Sequence, residues 1–105
     1  MGFAPTLAIP KVLKKAGLSL GDIGWIELNE AFASQAVAVM REAHLDPEIT
    51  NPLGGAIALG HPLGATGAAL ALRAILGARA TGVEFSLVTL CIGGGQAVAA
   101  IFRSL

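Results

Sequence analysis

The chain has 105 residues, of which 54% are hydrophobic and 13% charged, and its seven basic and seven acidic side chains cancel. That length holds at most one domain, and the balanced charge argues against a nucleic acid or an anionic membrane as partner. No apolar run reaches the ~20 residues that span a bilayer and nothing reads as a secretory signal. The single cysteine forms no internal disulfide, so a cytoplasmic setting is expected, with mitochondrial or peroxisomal placement left open. The apolar excess is mostly Ala, Leu and Gly and exceeds what so small a body can hide. It predicts a covering surface supplied by another domain or another copy.

Residues 1–5 read as a loop. Leu7, Ile9, Val12, Leu13 and Ala16 then fall at helical spacing, with Lys11, Lys14 and Lys15 on the solvated face. Gly17 is a natural stop, and Pro10 predicts a late start or a kink. Ile23 to Leu28 reads as a strand in which Glu27 is the odd member. The next helix is expected to open at Asn29-Glu30-Ala31-Phe32 and to turn Phe32, Ala36, Val39, Met40 and Ala43 inward. Here Asn29 has a plain reading as an N-cap and Glu30 as a first-turn carboxylate. His44 reads as a surface residue or a favourable cation at the helix end. Asp46-Pro47-Glu48 is a turn, and 49–51 a short strand.

The stretch from Gly54 to Gly67 predicts a tight turn, a loop and a helix start. Pro62 suits the first helical turn, which places His61 just ahead of free backbone N–H groups. That field disfavours imidazolium and keeps the ring able to accept a proton. Over 65–80 the only polar side chains are Thr66, Arg73 and Arg79, which predicts a largely buried central helix. Thr81-Gly82 ends it. A buried strand over 83–90, a glycine turn at 91–95 and a second strand over 96–102, antiparallel to the first, complete the chain. This alternation predicts a layered α/β domain.

The chemistry-bearing residues admit two readings each. The glycines after Cys91 let a hairpin turn through positive φ, or aim backbone N–H groups at a developing oxyanion. Cys91 is a small buried hydrophobe, or a reactive thiol at a strand end with a histidine as partner. A Cys–His hydrolase using Cys91 as nucleophile is one alternative. A phosphate site on the glycine turns is disfavoured, because neither a Gly-Lys-Ser/Thr sequence nor Gly-x-Gly-x-x-Gly after a strand is present.

Taken together, Asn29-Glu30-Ala31-Phe32, Gly60-His61-Pro62-Leu63-Gly64 and Cys91-Ile92-Gly93-Gly94-Gly95 resemble the C-terminal half of a thiolase. The opening Met1-Gly2-Phe3-Ala4-Pro5 resembles the loop before that family's corresponding helix. The resemblance spans residues 1–105. It implies a thiolase-like half-domain, a mixed sheet with helices on both faces, with its first strand and the nucleophile-bearing N-terminal half outside this chain. It implies acyl transfer between 3-ketoacyl-CoA and CoA, by thiolytic cleavage or reverse Claisen condensation. A coenzyme A thioester is then the substrate, and no cofactor is permanently bound.

By position, His61 matches the histidine that activates the acyl-accepting thiol and donates to the thioester oxygen. Asn29 matches the residue that fixes a water in the same oxyanion hole. Cys91 matches the cysteine that moves a proton on and off the α-carbon or the incoming thiol. Gly93 matches the glycine whose N–H stabilises the acyl-transfer oxyanion, and Ala31 and Phe32 line the pocket for the reacting end of CoA. No metal ligand is implied. The expected partners are acyl-CoA or CoA and an N-terminal thiolase half or a second copy. Leu53 departs from the small polar residue common in relatives. With its one cysteine assigned to acid/base work, the chain is expected to be inactive alone. The alternative is a non-catalytic remnant that binds or dimerises with a full-length thiolase.

Overall fold

The computed structural model describes residues 2–105. Met1, expected in the opening loop, lies outside the described residues. Helix α1 (Pro5–Ala16) is followed by a single 3-10 turn (Leu20–Asp22) and strand β1 (Ile23–Leu28). Then come α2 (Ala33–Glu42), a one-turn helix α3 (Ala56–Leu59), the long α4 (Thr66–Thr81), β2 (Phe85–Gly93) and β3 (Gln96–Arg103).

The described strands form one mixed sheet in the order β1-β2-β3. β1 runs parallel to β2, with Leu28 opposite Thr89, and β2 runs antiparallel to β3, with Cys91 opposite Ala97. An isolated parallel bridge, Ile26 to Thr50, is what becomes of the short strand expected at 49–51. The register of β1 slips between Ile23 and Trp25. Such a slip exchanges the two faces of a strand. Ile23, Ile26, Leu28 and Leu87 therefore join Ile9 of α1 and Ala36 and Val39 of α2 in one core. Trp25 and Val88 pack with Leu70 and Ala74 of α4 in a second core on the opposite face. Helices cover both faces of the sheet, as expected.

Several boundaries depart from the sequence reading. Pro5 is already the first residue of α1, where proline needs no hydrogen bond. The helix continues through Pro10, so no late start occurs. Burial of Ile9 holds that turn in place despite the missing N–H. Gly17 stops α1 at φ 70°, with its N–H directed at the Leu13 and Lys14 carbonyls. The helix after His61 begins at Thr66 rather than at Pro62, whose carbonyl accepts the Ala65 and Thr66 N–H groups in one preceding turn. β2 starts two residues later than expected and runs through to Gly93, because Cys91 still pairs with Ala97 and Gly93 with Gln96, with the register slipping at Ile92 between them. The reversal itself is confined to Gly94 and Gly95, at φ 59° and 74°.

Helix α4 is not buried all round. Leu70, Ala74, Gly77 and Ala78 face the sheet, whereas Leu72 and Leu76 are 57% and 53% exposed. The apolar composition foretold burial, but this chain supplies a cover for one face only.

Candidate functional site

The site assembles at the C-terminal ends of β1 and β2. Asn29 directly follows β1, and its N–H extends the ladder to the Thr89 carbonyl at 3.0 Å. Its side chain is 1% exposed and caps no helix, which corrects the N-cap reading. The helix start lies further on, and Gln35 serves it. Gln35 Oε1 accepts the Ala31 and Phe32 N–H groups at 3.1 and 3.3 Å, while Gln35 Nε2 donates to the Asn29 carbonyl at 3.4 Å. With Gln35 bonding the Ala31 and Phe32 N–H groups just ahead of α2, the Asn29 amide faces the loop ahead of α4. Phe32, expected to point inward, is 63% exposed at the N-cap position.

That loop leaves the sheet at Asn51. The Asn51 amide imitates a neighbouring strand: Oδ1 accepts the Leu28 N–H at 2.9 Å and Nδ2 donates to the Leu28 carbonyl at 2.8 Å. Its φ of 49° is one that asparagine tolerates well. Leu53, the departure noted above, lies exposed in the turn that follows. Glu30 Oε1 accepts the Ile57 N–H at 3.2 Å. His61 then comes back to the end of β1.

The hydrogen bonds of His61 define its tautomer. Nδ1 lies 2.6 Å from Thr66 Oγ1, and that hydroxyl lies 3.0 Å from the Pro62 carbonyl. A hydroxyl has one proton. Thr66 gives it to Pro62, so His61 Nδ1–H donates to Thr66 Oγ1. His61 Nε2 is then a bare acceptor, and it stands 3.4 Å from Asn29 Nδ2. Asn29 Oδ1, buried alongside, has no hydrogen-bond partner among the described residues.

Cys91 is half-buried on β2, two residues beyond the Thr89 that bonds Asn29. It lies at the same end of the sheet as Asn29, on a strand spaced about 5 Å away. Among the described residues no side-chain hydrogen bond joins it to Asn29 or His61. Gly93, at φ 91°, ends the same strand. Ala31 lies half-buried between Asn29 and Phe32. Among the described residues no group of three or more His, Cys, Asp or Glu could hold a metal ion. No described helix is long and apolar enough to cross a membrane.

Glu27 explains its own oddity. Fully buried on the α4 face of β1, it accepts the Trp25 indole N–H at 3.0 Å and lies 3.5 Å from Arg73 Nε. Burial pushes its carboxyl pKa up, against the opposing pull of the Trp25 hydrogen bond and the Arg73 charge. Thr66, Asn51 and Gln35 were not singled out in the sequence. Asn51 reaches Leu28 across 23 residues, which no local pattern encodes, whereas Gln35 lies three residues after the N-cap Phe32, the spacing of a capping box, and Thr66 five residues after His61.

The family model for the thiolase C-terminal domain matches residues 1–104. A 3-ketoacyl-CoA thiolase of Bacillus subtilis is 56% identical over 103 residues, covering 98% of this chain and 26% of the relative. A probable acetyl-CoA acyltransferase of Staphylococcus aureus is 54% identical over 101 residues, covering 96% and 25%. The crystal structure of human mitochondrial 3-ketoacyl-CoA thiolase in complex with CoA superposes with a TM-score of 0.97 at 48% identity, covering 99% of this chain and 26% of that one. The chain thus spans about a quarter of the length of these relatives.

Proposed function

The chain belongs to the thiolase family, as a C-terminal domain, and from that premise we propose that it supplies the acid/base and oxyanion-stabilising part of an acyl transfer between 3-ketoacyl-CoA and CoA. The observation that carries this reading is the pairing of Asn29 and His61 at 3.4 Å, beside an Asn29 oxygen that is buried and unpartnered. A bare Nε2 can take a proton from a thiol. Once protonated, it donates to the thioester oxygen. The unpartnered Oδ1 is an acceptor for one hydrogen of a water, whose other hydrogen points to that same thioester oxygen.

Carbon–carbon cleavage of a 3-ketoacyl thioester leaves an enolate, so charge gathers on the thioester oxygen. The protonated His61 and the water held by Asn29 are the two donors that meet that need, and losing one such donor costs about a hundred- to a thousandfold in rate. Cys91, at the same end of the sheet, is assigned the proton transfer on the α-carbon or the incoming thiol. The N–H of Gly93 is assigned to the acyl-transfer oxyanion. Ala31 and Phe32 are assigned to the reacting end of CoA, consistent with the exposure of Phe32. Soluble CoA thioesters serve as substrate, with no permanently bound cofactor.

The nucleophile that takes the acyl group lies outside these 105 residues, because their one cysteine is already assigned to acid/base work. A nucleophile-bearing thiolase half would also cover the open face of α4. The test is thiolysis of acetoacetyl-CoA. The chain alone is expected to give no turnover, and the chain combined with an N-terminal thiolase half to give turnover. His61→Ala should then lower that rate about a hundred- to a thousandfold. Turnover by the purified chain alone contradicts the division of labour, and an unaffected His61→Ala contradicts the assigned role.

A further inference from the structure

We infer that Glu30 is a positioning residue that holds the His61 loop against Asn29. The inference rests on the reading of Asn29 and His61 given above and adds a residue to it. By the chain, Asn29 and His61 are 32 residues apart. Through Glu30 the route is short. Glu30 adjoins Asn29, its Oε1 accepts the Ile57 N–H at 3.2 Å, and Ile57 stands four residues before His61.

The loop needs such a tether because apolar packing does not hold it. Ile57, Leu59 and Leu63 are all more than half exposed. The segment is also bounded by permissive backbone, with Gly54 at φ 90° and Gly60 at φ 94°. Asn51 fixes only the base of the loop, through Leu28. Thr66 fixes the far side of the imidazole. Apart from Thr66, whose hydroxyl bonds the Pro62 carbonyl at the far end, the Glu30 carboxylate is the one side chain that hydrogen-bonds the loop backbone among the described residues. Gly55 makes its seat. A methyl group at that position would overlap the Glu30 carboxylate, although the backbone there, at φ −114°, accepts any residue.

The experiment reads the Asn29–His61 contact in the full 105-residue chain, as the through-space NMR cross-peak between the Asn29 amide protons and the His61 ring. The unmodified chain shows the peak. Glu30→Gln keeps it, because a carbonyl oxygen still accepts the Ile57 N–H. Glu30→Ala loses it while the amide signals of β1 and β2 stay in place. Gly55→Ala loses it too, by displacing an intact Glu30, and decides the matter if Glu30→Ala fails to fold. The inference is overturned if the unmodified chain lacks the peak, if Gly55→Ala or a folded Glu30→Ala retains it at full intensity, or if Glu30→Gln abolishes it. None of these readings involves a thioester. Failure of the acyl-transfer proposal appears only in the thiolysis assay and is separate.

Discussion

Glu27 is the residue whose behaviour depends most on its surroundings. The carboxylate is buried beside Trp25 and Arg73, and its pKa lies above the ordinary 4.5, burial outweighing the indole hydrogen bond and the Arg73 charge, with Glu30 adding a small like-charge push. For a raised carboxyl pKa, the folded state binds the proton more tightly than the unfolded chain. The associated stability is complete below about pH 4.5 and is lost as pH rises through the folded pKa. Glu27→Gln keeps an acceptor for Trp25 and removes the titration. The urea midpoint of Glu27→Gln relative to the unmodified chain should therefore rise from pH 4 towards neutrality. A flat difference would mean that Glu27 ionises in the fold as easily as in water. From the sequence Glu27 was only an anomaly in a strand, since its partner Arg73 lies on another element.

At the scale of elements, α4 approaches β1 closely at one glycine. Gly77 of α4 lies against the Trp25 ring, and a methyl group there would overlap it. Alanine gains ~1 kcal/mol of helix propensity, but overpacking a buried ring costs about 1–3 kcal/mol. Gly77→Ala should therefore lower the urea midpoint, and a stabilised variant would show that the helix can shift without cost. The strand Ile23–Leu28 and the stops at Gly17 and Gly82 were legible because they depend on local chemistry: a short, mostly apolar run and glycine at φ 70° and 72°. The starts of α2 and α4 were not legible. Gln35 supplies the cap from inside one helix, and a separate turn at Pro62 precedes the other.

For the whole molecule, the consequence lies in what this chain leaves uncovered. Leu72 and Leu76 are one helical turn apart on the outer side of α4, and both are more than half exposed. An apolar stripe of this kind favours association. The unmodified chain should self-associate in sedimentation, with the mass rising with concentration. Leu72→Glu combined with Leu76→Lys should return it to a monomer with its helix content intact. A chain that stays monomeric throughout the concentration series would contradict this account of its apolar excess.

By itself the sequence determined the succession of elements, the layered α/β class and the three blocks that carry the family resemblance. Each of these rests on local periodicity, on turn chemistry or on short runs of residues. Tertiary structure decided the rest. It placed the Asn29 amide opposite His61 Nε2, set the tautomer through Thr66, buried Glu27 against Arg73 and left one face of α4 open. Except for the His61–Thr66 contact, which spans five residues, those outcomes depend on distances between groups far apart in the chain, and no local pattern of residues encodes such distances.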